Sequence, residues 1–234
     1  MVEVLAHRGA SRAAPENTLE AFRLARALGS DAVELDVRRT SDGVLVVHHD
    51  PHLADGRAIV AVSASELPAH VPDLRAALDA CTGMWVNLEI KNDANEPDFD
   101  PTDSIADQTL ATLAERHDDD RWLISSFRLE TIDRCKALHH RLRTAWLVVD
   151  VPDDVISTMV AHGHEALHPW FATLRQSHID VCHGAGIAVN TWTCDDPRRM
   201  AELVDWGIDG ICTNLPDVAI AVIAARSTSH EPDG

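Results

Sequence analysis

The sequence predicts a single α/β domain, a (β/α)8 TIM barrel with one extra antiparallel hairpin strand after the second barrel strand. Three observations carry that expectation. Short β-branched or apolar runs alternate with amphipathic stretches from end to end, in eight pairs. A chain of 234 residues suits one barrel better than two compact domains. Its 45% hydrophobic content is enough for a large core.

The strands are expected at Val2 to His7, Asp31 to Val37, Trp85 to Lys91, Trp122 to Phe127, Arg143 to Val149, Ala166 to Trp170, Ile187 to Thr193 and Gly210 to Asn214. Helices are expected between and after them: Thr18 to Leu28, Asp73 to Ala80, Thr102 to Arg116, Leu129 to Leu138, Asp153 to Ala161, Leu174 to His183, Pro197 to Trp206 and Pro216 to Ala225. The run Leu45 to His49 breaks the alternation. Only a short segment around Asp42-Gly43 separates it from the second strand, too little for a parallel crossover, so it must return antiparallel. A tight turn centred on Asp42-Gly43 would place His49 opposite Asp36, and Glu34, Asp36 and His49 on one face.

Residues 1–226 are expected to form the barrel, and 227–234, polar with Pro and Gly, a tail. The first residues carry no basic segment followed by an apolar one, so a secretory leader is not expected, and no apolar run is long enough to span a membrane. Five scattered cysteines without CxxC spacing argue against a disulfide framework and a structural zinc site, which points to the cytoplasm. A net charge of −18 without clustered Lys or Arg excludes a general nucleic-acid binder. An anionic ligand would need local positive charge against that global field. The sequence does not specify an oligomeric state.

Glu34-Leu35-Asp36 aims two carboxylates inward, and Glu89-Ile90-Lys91 adds a third carboxylate and a cation on a later strand. Converging carboxylates repel unless a cation sits among them, and all-oxygen ligation points to Mg²⁺ or Ca²⁺. Salt bridges at a barrel mouth are the alternative. Among 14 histidines, His7 and His49 stand at expected C-terminal strand ends, where barrel chemistry sits, and suit proton transfer near neutrality. His168 is an intermediate case, while His139, His140, His162 and His164 are read as solvated surface. Asn17-x-x-Glu20 reads as a helix capping box. Trp192 shares a face with Asn190, either as pocket wall or as core; Trp85, Trp122 and Trp206 read as packing.

Taken together, His7-Arg8-Gly9, Pro15-Glu16-Asn17-Thr18, Glu34-Leu35-Asp36-Val37, Val46-Val47-His48-His49-Asp50, Glu89-Ile90-Lys91, Trp192-Thr193 and the Gly207 to Pro216 segment resemble the ordered signature of glycerophosphodiester phosphodiesterases. The resemblance covers almost the whole chain. It implies metal-dependent hydrolysis of a glycerophosphodiester to sn-glycerol 3-phosphate and an alcohol. By the same resemblance Glu34, Asp36 and Glu89 are the metal ligands, His7 and His49 the general acid/base pair, and Arg8 and Lys91 phosphate holders, with Trp192 at the substrate. The chain departs from the family pattern after His49: Pro51 to Pro68 is too brief for the sizeable insertion many members carry. Two competing readings are a lysophospholipase D-like enzyme acting on lysolipids and an inactive glycerophosphodiester-binding protein. The first lacks an obvious lipid-binding amphipathic helix, and the second is disfavoured because each motif position keeps a competent residue.

Overall fold

The computed structural model describes residues 2–228. Eight parallel strands close on themselves: β1 (Glu3–Ala6), β2 (Ala32–Arg39), β4 (Trp85–Ile90), β5 (Trp122–Ser126), β6 (Arg143–Val148), β7 (Ala166–Pro169), β8 (Ala188–Thr191) and β9 (Gly210–Thr213). Closure comes from β1, which pairs in parallel with both β2 and β9. The short β3 (Leu45–Val47) hangs antiparallel on β2. Each barrel strand is followed by a helix: α1 (Leu19–Leu28), α2 (Leu74–Ala80) after the hairpin and β4's partner α3 (Ser104–Ala114), then α4 (Leu129–Leu138), α5 (Val155–His162), α6 (Gln176–Gly184), α7 (Pro197–Asp205) and α8 (Pro216–Thr228). The α2 segment thus completes the second unit from beyond β3. The (β/α)8 barrel with its extra hairpin strand is the predicted fold. Helix α8 continues to Thr228, two residues into the stretch read as a tail, and residues 229–234 of that stretch lie outside the described residues.

Local chemistry sets the element ends. Thr18 caps α1 by accepting from the Ala21 amide, and Gly29 ends it in the left-handed region. Asp196 caps α7 ahead of Pro197, whose missing N–H is one the first turn would leave unpaired anyway. Outward-facing Val33, Leu35 and Val37 of β2 pack with Phe22 and Ala25 of α1 in the layer between sheet and helices. The barrel interior is filled separately: Leu5, Ala32 and Cys212 pack with Trp85 and Trp192, and Leu123, Ala145 and Ala166 form an adjoining group. Gly210 belongs to that interior, because a Cβ there would lie 2.5 Å from Asn190 Oδ1.

The hairpin differs from its expected register by one residue. Val37 pairs with Val47, Arg38 with Val46 and Arg39 with Leu45. The Thr40 amide donates to Val44 O at 3.0 Å, and Gly43 N donates to Thr40 O at 3.0 Å with φ +82° at Gly43. The turn therefore spans Ser41, Asp42 and Gly43, a longer loop closed by a left-handed glycine. Thr40 Oγ1 reinforces it by donating to Asp42 Oδ1 at 2.6 Å. Consequently His48, not His49, lies across from Asp36, with His48 N donating to Asp36 O at 3.0 Å. The Pro51–Pro68 loop folds back on β3, where Leu53, Ile59 and Val62 bury against Val46.

Candidate active site

The site lies at the C-terminal ends of β1, β2 and β4. Parallel register places Asp36 beside Glu89 and Glu34 beside Asn87, so alternation turns Glu34, Asp36 and Glu89 to the interior together. All three are buried, and one oxygen from each lies within 4.8 Å of the others. The structure thus brings the three carboxylates together as the sequence predicted.

Their surroundings are uneven. Glu34 Oε2 accepts from the Arg8 amide at 2.9 Å, while Glu34 Oε1 is buried without a hydrogen-bond partner. Burial, then the charges of Asp36 and Glu89, push the Glu34 carboxyl well above its ordinary value. Burial alone would raise Asp36 too, but Lys91, Arg8 and His49, with a hydrogen bond from Asn17, hold it below the usual range. Lys91 Nζ lies 3.0 Å from Asp36 Oδ1 and 2.5 Å from Glu89 Oε1. Burial opposes the Lys91 charge, yet these partners outweigh it and raise its pKa. A carboxylate triad with one unpartnered buried oxygen and one member driven toward protonation fits a hard divalent cation bound through oxygen.

Arg8 sits in the left-handed region at φ 55°, followed by Gly9 at φ +82°. A Cβ on Gly9 would lie 2.6 Å from the Ala21 backbone, so the turn after β1 can press against α1 only with glycine there. This turn aims the Arg8 amide at Glu34. The Arg8 guanidinium lies 3.4 Å from Asp36 Oδ2 and bonds Glu16 at 2.9 and 3.0 Å.

His7 Nδ1 is 2.7 Å from Asn214 Oδ1. Asn214 is fixed in that orientation because its Nδ2 donates to Asp195 Oδ2 at 2.7 Å. An amide oxygen accepts, so His7 carries its proton on Nδ1 and offers Nε2 as an acceptor, 3.4 Å from Thr193 Oγ1 and 3.9 Å from Glu34 Oε2. Burial, then Arg8, lower the His7 pKa to about 4, so the imidazole is neutral near pH 7. His49 is the more exposed of the pair. Its Nδ1 faces Asp50 Oδ1 at 2.7 Å, leaving Nε2 free, and its charge acts on Asp36. The ladder does not place it there: β3 stops at Val47 and the chain bends. Arg38, 1% exposed, holds that bend by donating from Nε to His49 O at 2.8 Å, while Nη1 binds Glu96 and Asp98.

Trp192, His168 and Asn190 line a small interior cavity with His7, Glu34 and Glu89. Trp192 Nε1 donates to His168 O at 2.7 Å, and its ring meets Phe127 edge-on at 5.3 Å. Burial lowers the His168 pKa to about 3. With an ordinary value of 6.5, the unfolded chain binds more protons between those limits, so this stabilising contribution is complete above about pH 6.5 and is lost as pH falls toward 3. In His168→Gln, the urea midpoint should therefore fall less steeply than in the parent between pH 6.5 and about 4. Parallel slopes would contradict a neutral buried His168.

Asn17 overturns its expected role. Thr18, not Asn17, caps α1, and Asn17 is 4% exposed with Nδ2 donating to Asp36 Oδ2 at 2.7 Å. Its φ of 55° suits asparagine, and glycine can keep that backbone. Asn17→Gly should lower turnover about tenfold or more by loosening Asp36, with a small change in melting temperature. Thr18→Ala should do the reverse, costing about 1 kcal/mol of stability with turnover retained. The opposite pattern would restore Asn17 to the helix cap.

An acidic, cation-ready centre flanked by two imidazoles whose Nδ1 atoms are held and whose Nε2 atoms face the site, at the C-terminal mouth of a (β/α)8 barrel, defines a hydrolase of the phosphodiesterase class. The glycerophosphoryl diester phosphodiesterase family model matches residues 7–218, and the chain belongs to that family. It is 28% identical over 94% of its length to the glycerophosphodiester phosphodiesterase of Caldanaerobacter subterraneus subsp. tengcongensis, covering 97% of that protein. Among solved structures, a glycerophosphoryl diester phosphodiesterase from Silicibacter pomeroyi superposes with a TM-score of 0.89 at 25% identity, covering 97% of this chain and 94% of that one. An Oleispira antarctica phosphodiesterase in complex with the product sn-glycerol-3-phosphate gives a TM-score of 0.83 at 26% identity, with 95% and 96% covered.

Proposed function

We propose that this enzyme hydrolyses glycerophosphodiesters to sn-glycerol 3-phosphate and an alcohol. The observation that carries the proposal is the buried Glu34, Asp36 and Glu89 cluster, with its unpartnered Glu34 oxygen, beside the inward-facing Nε2 atoms of His7, met only by a long 3.4 Å contact from Thr193 Oγ1, and of His49. The family match and the product-bound relative support it. Glu34, Asp36 and Glu89 would hold Mg²⁺ or Ca²⁺, which supplies Lewis-acid stabilisation of charge on the phosphoryl oxygens. Arg8 and Lys91 grip the phosphate and Trp192 walls the glycerol side. One histidine withdraws the proton of the attacking oxygen, and the other returns a proton to the leaving oxygen. Barrel burial keeps bulk water from the carboxylates. Five buried free cysteines fit a reducing cytoplasm, and no described helix is long and apolar enough to cross a membrane.

The leaving alcohol has less to meet. The Pro51–Pro68 loop packs on β3, and the open cleft of about 360 Å³ beside Glu89 and Lys91 is bordered by Asp93, Phe127 and Arg128. Glycerophosphocholine, glycerophosphoethanolamine and glycerophosphoglycerol should therefore differ in kcat/KM by less than roughly 100-fold. Parallel assays of released glycerol 3-phosphate test both statements. No release from any of the three would refute the activity; a preference of several orders of magnitude would refute the open leaving-group side.

A further inference from the structure

A second convergence of donors lies outside the barrel, where α4 meets the loop from α5 into β7. Asp133 projects from α4, His162 ends α5, and His164 precedes β7. His162 Nδ1 and His164 Nε2 both point at Asp133 Oδ1, at 2.7 and 3.0 Å, and the three donor atoms lie within 4.8 Å of one another. Gly163, at φ +75°, makes the reversal that turns both rings to the same side. The sequence reading of both histidines as solvated surface holds for His162 but not for His164, which is 4% exposed.

We propose that Asp133, His162 and His164 form a second metal site that takes a borderline transition-metal cation of the Zn²⁺ class. Two imidazole nitrogens and one carboxylate oxygen are the donor set such ions prefer, whereas the all-oxygen catalytic cluster suits harder ions. A tetrahedral ion with bonds of about 2.0–2.1 Å separates its ligands by roughly 3.3 Å, so the two contacts to Asp133, now 2.7 and 3.0 Å, need open by only about 0.3 to 0.6 Å. His164 is already oriented for ligation. Its Nδ1 lies 2.8 Å from Thr144 Oγ1 on β6, the outer partner that fixes a ligating ring with Nε2 forward. Burial lowers the His164 pKa, in the direction that favours the uncharged ring a metal needs. Asp133 and His162 stay partly open to solvent, which leaves room for a fourth ligand from water. The neighbouring cation, Lys136, is ion-paired with Glu165 and donates to Leu142 O at 2.8 Å, so its charge is locally offset. An ion held here would tie α4 to the α5–β7 loop, at the strand-start end of the barrel and away from the catalytic mouth.

Co²⁺ reports on such a site, because tetrahedral nitrogen-ligated Co²⁺ absorbs strongly in the visible and six-coordinate oxygen-ligated Co²⁺ weakly. The full chain is titrated with Co²⁺, then competed with Zn²⁺, in excess Mg²⁺ that occupies the catalytic carboxylates. One equivalent should give the intense band, Zn²⁺ should remove it, and His162→Ala and Asp133→Asn should each weaken binding at least 10-fold while keeping turnover of glycerophosphocholine. His183→Ala, which alters another surface His–Asp pair, should bind as the parent does. Absence of the band in the parent, or equal Co²⁺ affinity in the parent and both variants, would mean that Asp133 only accepts two hydrogen bonds from these rings, and the proposal would fall.

Discussion

His7→Ala and His49→Ala should each lower kcat on glycerophosphocholine by about 100-fold or more, with circular dichroism and melting temperature close to the parent. The expectation rests on the Nδ1 partners. Asn214 and Asp50 fix the two rings so that each presents Nε2 to the site, and neither residue fills a large part of the core. His48 provides the control. Its Nδ1 faces its own turn at Asp50 O, 2.8 Å away, so His48→Ala should cost far less than His49→Ala. Stopped assays at saturating substrate decide it. Equal losses for His48 and His49 would remove His49 from proton transfer.

The second large effect concerns the carboxylates. Glu34→Ala, Asp36→Ala and Glu89→Ala should each abolish measurable Mg²⁺ and Ca²⁺ binding at the catalytic cluster and take turnover with it. In each variant Arg8 and Lys91 lose part of the negative charge that now opposes them, so the site becomes less attractive to a cation as well as short of one ligand. Calorimetric titration of each variant provides the measurement. Unchanged affinity in all three would transfer the cation, and the activity with it, to other residues.

How much of this was legible in the sequence depends on how local each signal is. The eight βα units and the inward pairing of Glu34, Asp36 and Glu89 follow from strand alternation, which needs only the sequence of each strand. The hairpin register needed the turn type. Asp42-Gly43 fits a short turn, yet Thr40 and the left-handed Gly43 select the longer one, so His49 reaches the site through a bend held by Arg38 rather than through the ladder. Asn17 reads as a cap because an asparagine before a helix commonly caps it; its partner Asp36 lies 19 residues on, in β2, and Thr18 takes the cap instead. The support of His7 was illegible for a plainer reason. Asn214 is 207 residues away along the chain, and only barrel closure brings β9 beside β1. His164 shows the same limit from the other side, since its polar neighbourhood in sequence conceals a buried ring on Thr144.

The most direct test of the central claim is turnover of glycerophosphocholine by the purified chain before and after chelation. Equimolar sn-glycerol 3-phosphate and choline should appear in the presence of Mg²⁺ or Ca²⁺, cease with excess EDTA, and return when the ion is restored to the parent but not to Glu89→Ala. Hydrolysis that continues undiminished in excess chelator, or a parent enzyme that releases no glycerol 3-phosphate with either ion, would contradict it.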